Sequence, residues 1–274
     1  MYFGGRFTRE LFDFFNELSP DFSRQLRAPA VDVTEKYEGE LVSSFDLALE
    51  KALMQFIRDR DPSAVIVSEE TAHVWPPESD RFWVIDPLDG THNFLMGLPM
   101  FGTMLAYCDR GDVVFGAVFL PAQRMFGRSG LYFATRGYGA WGVDPFLDLF
   151  PLYVSQKKKL VKALLFVEGS SRAFLKSPAV MRIVDAVPRW RANLSSCWSL
   201  VGVAGGKNMP AGADLLMTVG NKPWDNLPAC LFIEEAGGRV TDFEGKRWSL
   251  ENFSTLVFSN GFLHDAVLNL LHET

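Results

Sequence analysis

In the stretch Phe82-Trp83-Val84-Ile85-Asp86-Pro87-Leu88-Asp89-Gly90-Thr91-His92-Asn93-Phe94, an apolar run leads directly into two carboxylates and a turn. Residues 82–85 are aromatic and β-branched, which predicts the end of a buried strand, and the proline and glycine that follow interrupt its ladder. Asp86 and Asp89 therefore belong at the carboxyl edge of that strand. Two carboxylates that point at one place repel each other, and hard cations such as Mg²⁺ relieve the repulsion.

The same stretch contains a candidate phosphate site. If a turn or helix begins at Gly90 and Thr91, their backbone N–H groups point toward the two acids and favour a phosphate beside the metal. A second interpretation is equally good for an isolated D-P-x-D sequence, in which Asp86 and Asp89 are only turn and cap residues.

Composition limits the function classes. The chain has 274 residues, 48% of them apolar and 14% aromatic, which is enough for one large domain or two closely packed halves. The net charge of −6 argues against a nucleic-acid-binding surface, because phosphate-backbone binding depends on clustered Lys and Arg. The one basic run, residues 157–159, is interpreted as a solvated segment boundary.

Cysteine use and hydropathy bear on the compartment. The three cysteines, Cys108, Cys197 and Cys230, lie in apolar surroundings without metal-ligand spacing, which predicts buried free thiols in a reducing compartment. No secretory segment follows Met1, and no apolar stretch approaches the roughly 18 residues of a membrane span. We therefore predict a cytoplasmic protein with no membrane partner.

Two amphipathic helices are predicted early in the chain. The first covers residues 7–18 and ends near Pro20; the second covers about 45–59, with Ser43 and the serine after it as its cap. Asp46 lies in the first turn of the second helix, where the helix dipole favours a carboxylate whatever its function.

A short strand at 65–67 also ends in acids, Glu69 and Glu70. Two strands that both deliver acids at their ends can place them side by side in one sheet. Consecutive residues of an extended chain point to opposite faces, so only one of Glu69 and Glu70 is expected to face the site.

Further strands are predicted at 101–108, 113–120 and 131–135, the first two as a hairpin, and the Gly- and Pro-rich residues 137–151 mark a boundary. Strands and helices then alternate, at 161–167, 178–186, 200–205, 215–219, 227–236, 239–241, 255–259 and 263–271. We divide the chain into an antiparallel-sheet half, residues 1–150, and an α/β half, residues 151–274. Asp225 precedes one of the later helices and, by itself, is interpreted as an ordinary N-cap.

Together these segments resemble the inositol monophosphatase family, which is Mg²⁺-dependent and lithium-sensitive. The resemblance covers about residues 30–260 and rests on two specific signatures and three supporting segments. The signatures are residues 85–94 and residues 224–238 (Trp-Asp to Glu-Ala-Gly-Gly); the supporting segments are residues 41–46, 68–71 and 168–172.

The resemblance implies a layered αβαβα sandwich with two or three Mg²⁺ ions between the halves. Carried over by position, Glu69, Asp86 and the backbone carbonyl of Leu88 would hold the first ion. Asp86, Asp89 and Asp225 would hold the second, and a weaker third ion would share Glu69.

The resemblance also implies roles in chemistry. Gly90 and Thr91 would bind the phosphate, Asp46 and the Thr91 hydroxyl would orient a metal-bound water, and Glu70 would support that water. The implied reaction is hydrolysis of a small phosphorylated alcohol, such as an inositol phosphate, without a covalent enzyme intermediate. A homodimer is expected by the same analogy.

The substrate is less well specified. Inositol-specific members carry a glutamate seven residues before the aspartate of the second signature, and Thr218 stands at that position here. Residues 202–210, which include Ala204, are Gly- and Pro-rich and are expected to line the alcohol side together with Thr218. Histidinol phosphate or a sugar (bis)phosphate is therefore the alternative substrate.

Two rival classes were compared. A haloacid-dehalogenase-type phosphatase uses aspartates separated by one residue, whereas two residues separate Asp86 from Asp89. A non-catalytic metal-binding module would not need every expected ligand type at its expected spacing. Both are less favoured than the metal-dependent phosphatase.

Overall fold

The computed structural model describes residues 5–27, 32–37, 40–71, 74–169, 174–209 and 212–273. Its helices are α1 Gly5–Arg27, α2 Ser44–Arg58, α3 Thr91–Leu95, α4 Pro178–Ala186, α5 Ser196–Gly205, α6 Pro223–Glu235 and α7 His264–His272. Its strands are β1 Val33–Tyr37, β2 Glu40–Ser43, β3 Ile66–Ser68, β4 Arg81–Asp89, β5 Gly102–Asp109, β6 Asp112–Phe119, β7 Leu131–Thr135, β8 Gly139–Val143, β9 Leu149–Pro151, β10 Leu165–Gly169, β11 Trp190–Ala192, β12 Leu215–Val219, β13 Arg239–Asp242 and β14 Leu256–Ser259.

The first large sheet has the order β3-β4-β5-β6-β7-β8-β9. β3 and β4 are parallel, with Ser68 opposite Ile85, and the remaining pairs are antiparallel. The prediction that two acid-bearing strand ends lie side by side is therefore confirmed, as is the hairpin of β5 and β6.

Strand β4 organises this sheet because its alternating side chains reach two different cores. Phe82 and Val84 join the core on one face, and Trp83 and Ile85 join the core on the other. Pairing with β5 shifts register between Asp86 and Asp89, so the proline lies in a bulge. The bulge places both carboxylates at the end of a strand that is buried from Phe82 onward.

The second large sheet has the order β11-β10-β12-β14-β13. β10 runs parallel to β11 and β12, whereas β14 is antiparallel to both of its neighbours. This mixed sheet with its helices is the α/β half predicted for the later part of the chain.

Three hydrophobic clusters fill the spaces between five layers. One joins α1 and α2 to the first sheet, one joins α5 and α6 to both sheets, and one joins α4 and α7 to the outer face of the second sheet. The predicted αβαβα arrangement is confirmed. The division at residue 150 stays a prediction, although β9 ends beside it.

Two element predictions were wrong. Helix α1 continues through Pro20 to Arg27 because Phe22 is buried and its ring meets those of Phe45 and Phe101, so tertiary packing outweighs the proline. Residues 137–151 contain strands β8 and β9, where the sequence indicated only a boundary.

The basic run is also more than a solvated boundary. Lys157 Nζ lies 2.8 Å from Oδ2 of the buried Asp214, which also accepts from the Ser155 hydroxyl and the Leu164 amide. The three cysteines are free and buried, as predicted. Among the residues described, no helix has both the length and the apolar composition required to cross a bilayer.

A buried histidine gives the first testable prediction. His264 is fully buried between the hydroxyls of Thr241 and Ser259, each 2.8 Å from a ring nitrogen, and burial lowers its pKa to about 4. In the unfolded chain the imidazole has its ordinary pKa of about 6.5. Stability from the neutral ring is therefore complete above a pH of about 6.5 and is lost as pH falls toward 4.

We expect the melting temperature of His264→Gln to fall less steeply than that of the wild type between pH 6.5 and 4.5. The exposed His272 supplies the control, since His272→Gln should keep the wild-type slope. If the melting temperatures of all three proteins fall in parallel with pH, His264 is not the cause of the loss of stability in acid.

Candidate active site

Three carboxylates converge where the two halves meet. Oxygens of Asp86, Asp89 and Asp225 all lie within 4.8 Å of one another. The first two come from the bulge at the end of β4. The third comes from the first turn of α6, where Asp225 Oδ2 accepts a 2.9 Å bond from the Lys222 amide. The N-cap of this helix is Lys222 and Asp225 is its third residue, so the N-cap interpretation of Asp225 is wrong; the residue joins the cluster instead.

The cluster is electrostatically unfavourable without a cation. Burial, followed by repulsion from Glu69, Asp89 and Asp225, raises the pKa of Asp86 well above its usual value. Burial, followed by repulsion from Asp89, raises the pKa of Asp225 to about 7. Burial also raises the pKa of Asp89, against the hydrogen bonds that it accepts. A divalent cation would offset this repulsion.

The donor set fits a hard divalent metal. Its ligand atoms are carboxylate oxygens, the type that Mg²⁺ prefers. Asp86 Oδ1 is buried and has no hydrogen-bond partner among the described residues, so it is available to a cation. Glu69, at the end of β3, interacts with Asp86. Glu70 is half-buried in the same turn, and the role predicted for it stays a prediction.

Asp46 and Thr91 meet beside the cluster. The Asp46 carboxylate accepts from the backbone and side chain of Ser43 in a capping box, and its Oδ1 lies 3.0 Å from the Thr91 hydroxyl. The same hydroxyl lies 2.9 Å from the carbonyl oxygen of Leu88. A hydroxyl has one proton, so Thr91 donates to either Asp46 or Leu88 at one time.

Gly90 shapes the turn between β4 and α3. Its φ is +81°, and a Cβ atom at this position would lie 2.7 Å from the Met100 carbonyl oxygen and 3.3 Å from that of Leu194. Both the backbone angle and the close approach require glycine. The Asn93 amide holds the turn by donating to Met100, Asn193 and Leu194 carbonyls.

Sequence reasoning missed the segment that holds Asp89. The amides of Ser196 and Cys197 and the hydroxyl of Ser195 donate to the two Asp89 oxygens over 2.9, 3.0 and 2.6 Å. These groups form the start of α5, which was predicted to begin only at Leu200. The available signal was the pair of serines, a preferred N-cap type, just before an apolar helix.

Glu168 was singled out only as part of a family segment, and it supports the same loop. Its carboxylate accepts from the amides of Asn193 and Ser195 and from the Ser199 hydroxyl. Burial raises its pKa to about 8. Residues 170–172 of that segment lie outside the described residues.

The burial of Ala204 argues against the substrate wall predicted at residues 202–210. Ala204 is fully buried in α5, within the core between the two sheets, and Gly206 lies against the backbone of residues 153–155. Pro210 lies outside the described residues. Residues 193–196 stand beside the acidic cluster instead, because α5 begins earlier than its apolar residues indicate.

Thr218 is also fully buried. Its hydroxyl accepts from the Asn226 side chain over 2.8 Å and from the Leu256 amide over 3.3 Å. The residue therefore has a packing role, and its hydroxyl is engaged by the protein. Its predicted contact with the alcohol is not supported by this geometry.

The chain matches a known protein family and has relatives of known name. A model of the inositol monophosphatase family matches residues 16–274. The chain is 31% identical over 249 residues to the fructose-1,6-bisphosphatase/inositol-1-monophosphatase of Thermotoga maritima, covering 89% of this chain and 88% of that protein. It is also 31% identical over 220 residues to the Nus factor SuhB of Escherichia coli strain K12, covering 79% and 77%.

A solved structure shows the same fold. The chain aligns with an IMPase/NADP phosphatase described as complexed with Mg²⁺ and phosphate, with a TM-score of 0.80, 20% identity, and coverage of 98% of this chain and 96% of that one. The family match and the relatives together support a phosphatase.

Proposed function

The chain belongs to the inositol monophosphatase family, and on that premise we propose that it is a Mg²⁺-dependent phosphomonoesterase that hydrolyses a small phosphorylated alcohol. The observation that carries the proposal is the cluster that the buried Asp86 and Asp89 form with the half-buried Asp225. Three carboxylates that repel one another destabilise a fold unless a cation neutralises their charge.

In this proposal Asp86, Asp89 and Asp225 hold Mg²⁺, with Glu69 and the Leu88 carbonyl as further ligands. The bound metal would supply charge neutralisation for the phosphate and leaving oxygen and would lower the pKa of water. Two or three ions remain the expected number.

The residues beside the cluster prepare the nucleophile. If the Leu88 carbonyl is engaged by a cation, the single Thr91 proton goes to Asp46, and the Thr91 oxygen is left as an acceptor for a water molecule. Asp46 is held in place by the two Ser43 donors. The pair would therefore orient the attacking water by hydrogen bonding, with Glu70 as a supporting acid.

Gly90 and Thr91 would bind the phosphate through their backbone. Glycine at position 90 allows the left-handed turn to pack against the Met100 and Leu194 carbonyls, and this packing would hold the two N–H groups in position for an anion. Inositol phosphate, histidinol phosphate and sugar (bis)phosphates all carry the phosphate group that this part of the site would bind. Cytoplasmic location and a homodimer stay predictions.

The relatives named Nus factor SuhB favour a second, regulatory role. The acidic cluster favours the phosphatase of these two candidates, because its carboxylates suit a metal-dependent site.

The direct experiment is a phosphate-release screen across these substrates with millimolar Mg²⁺ and with EDTA. We expect turnover only with the metal, and no acyl-phosphate trapped with hydroxylamine. Equal rates in EDTA would contradict the proposal, whereas a trapped acyl-phosphate would indicate covalent catalysis.

The contact between Asp46 and Thr91 gives a further prediction. Thr91→Ala should lower kcat more than it weakens Mg²⁺ affinity, because the hydroxyl is assigned to the water. Asp46→Asn combined with Thr91→Ala should cost less than the product of the two single effects, because the two groups act as a unit. Strict multiplicativity, with metal affinity measured separately by calorimetry, would show that they act independently.

A further inference from the structure

Next to the acidic cluster is a cavity to which the proposed chemistry assigns nothing. Its volume is about 140 Å³. Phe174, Leu175, Trp190 and Leu194 line it together with Val167 and Glu168 of β10.

The cavity and the proposed phosphate site share one wall. Leu194 lines the cavity, and its carbonyl oxygen lies 3.3 Å from the Cβ position of Gly90. The next residue, Ser195, donates its hydroxyl to Asp89. The cavity therefore lies one residue along the chain from a side chain that bonds the acidic cluster.

Apart from Glu168, the side chains that line the cavity in the described part of the chain are apolar. Both Glu168 oxygens accept hydrogen bonds from the protein, from the amides of Asn193 and Ser195 and from the Ser199 hydroxyl at 2.5 Å. The other five lining side chains named above are aliphatic or aromatic. A hydroxylated ring placed here would lose water without gaining equivalent partners.

Three of the lining side chains are unusually exposed for their type. Leu175, Leu194 and Trp190 are 64%, 56% and 45% exposed, and the Trp190 ring lies 6.1 Å from that of Phe174. Such apolar surface beside a polar site is typical of ligand binding.

Backbone strain also supports a function for Leu194. Its φ is +53°, in the left-handed region that leucine rarely adopts. The Asn93 side chain holds the segment by donating to the Asn193 and Leu194 carbonyls. The turn directs the Leu194 side chain to the surface instead of into the core. Strain that the surroundings maintain is common at ligand sites.

We propose that this cavity binds an apolar ring in the alcohol part of the substrate, so that the preferred substrates are phosphate monoesters of ring-bearing, poorly hydroxylated alcohols. A cavity of roughly 150 Å³ accommodates benzene. This inference rests on the proposed function, because it assumes that the phosphate lies at the acidic cluster.

The test compares 2-phenylethyl phosphate with inositol 1-phosphate at saturating Mg²⁺. We expect the wild type to favour the phenylethyl ester in kcat/KM by about tenfold, equivalent to about 1.4 kcal/mol of ring contact. Trp190→Ala and Leu194→Ala should each remove most of that preference through KM. Tyr138→Ala, which removes an exposed aromatic ring elsewhere, should leave the preference unchanged.

Binding of 2-phenylethanol to the metal-free protein, measured by saturation-transfer NMR, tests the cavity without turnover. We expect a signal from the wild type and from Tyr138→Ala, and a much weaker one from Trp190→Ala and Leu194→Ala. Hydrolysis of both esters without preference, together with no NMR signal, would overturn the inference and leave the proposed function intact. If no phosphomonoester of the wider screen is hydrolysed either, the proposed function fails, and the NMR result alone decides whether the cavity binds a ring.

Discussion

Asp225→Asn is expected to lower phosphatase turnover by roughly 10²–10³-fold at saturating Mg²⁺, the range found when one electrostatic group is removed from an active site. An oxygen of the Asp225 carboxylate lies within 4.8 Å of oxygens of Asp86 and Asp89, and an amide is a neutral and much weaker metal ligand. The measurement is kcat against Mg²⁺ concentration. Turnover that recovers fully at high Mg²⁺ would show that Asp225 is not needed once the metal is bound.

The same variant should stabilise the metal-free protein. The pKa of Asp225 is raised to about 7 in the fold, above its ordinary value of 3.8, so the native state binds the proton more tightly than the unfolded state does. Stability is therefore lost as pH rises from about 4 to 7. In EDTA at pH 8, Asp225→Asn should melt at a higher temperature than the wild type, and the difference should vanish near pH 4. A lower melting temperature at pH 8 would contradict the electrostatic argument.

Asp89→Asn is a less clean test of the metal site. Asp89 Oδ1 accepts from the Ser196 amide, and Oδ2 accepts from the Cys197 amide and the Ser195 hydroxyl. An asparagine NH₂ group would face one of these donors, so the start of α5 would also be disturbed. Asp225 has one such backbone bond, which the amide oxygen of asparagine can keep.

The site was predictable where its residues follow strongly patterned local elements. Asp86 and Asp89 follow an apolar strand, Asp46 is the third residue of a helix with a serine cap, and Asp225 lies in the first turn of a helix that starts at Pro223. In each case local chemistry fixes the backbone position of the acid. The family resemblance then related these separate positions to one cluster.

The rest depends on contacts between distant residues. The start of α5 is polar because Ser195, Ser196 and Ser199 bond Asp89, Glu168 and Asn221, each at least 25 residues away. Without knowledge of those partners the serines indicate a loop, and the helix is predicted to begin at its first apolar turn. For that reason the contacts of Ser195 and Ser196 with Asp89 were not predicted.

The second large effect is expected for Gly90→Ala. A positive φ costs a non-glycine residue about 1–2 kcal/mol, and the added Cβ would lie only 2.7 Å from the Met100 backbone oxygen. Overpacking of this kind typically costs a further 1–3 kcal/mol. Relief of the clash would move the turn that carries Thr91, and a displacement of about 1 Å in an active site can reduce the rate by roughly 100-fold.

Gly97→Ala separates the two causes, because Gly97 has a φ of +71° but no atom of the described residues lies within 4 Å of its Cβ position. The free energy of unfolding of Gly97→Ala should fall by about 1–2 kcal/mol, which is the cost of the positive φ alone. Its kcat should not change. Gly90→Ala should be less stable than Gly97→Ala and should lose most of its turnover. Equal stabilities and equal rates for the two variants in urea unfolding and phosphate-release assays would show that the Gly90 turn tolerates a side chain. In that case the close approach to Met100 and Leu194 would not constrain the phosphate site, because the turn could move without affecting the position of Thr91.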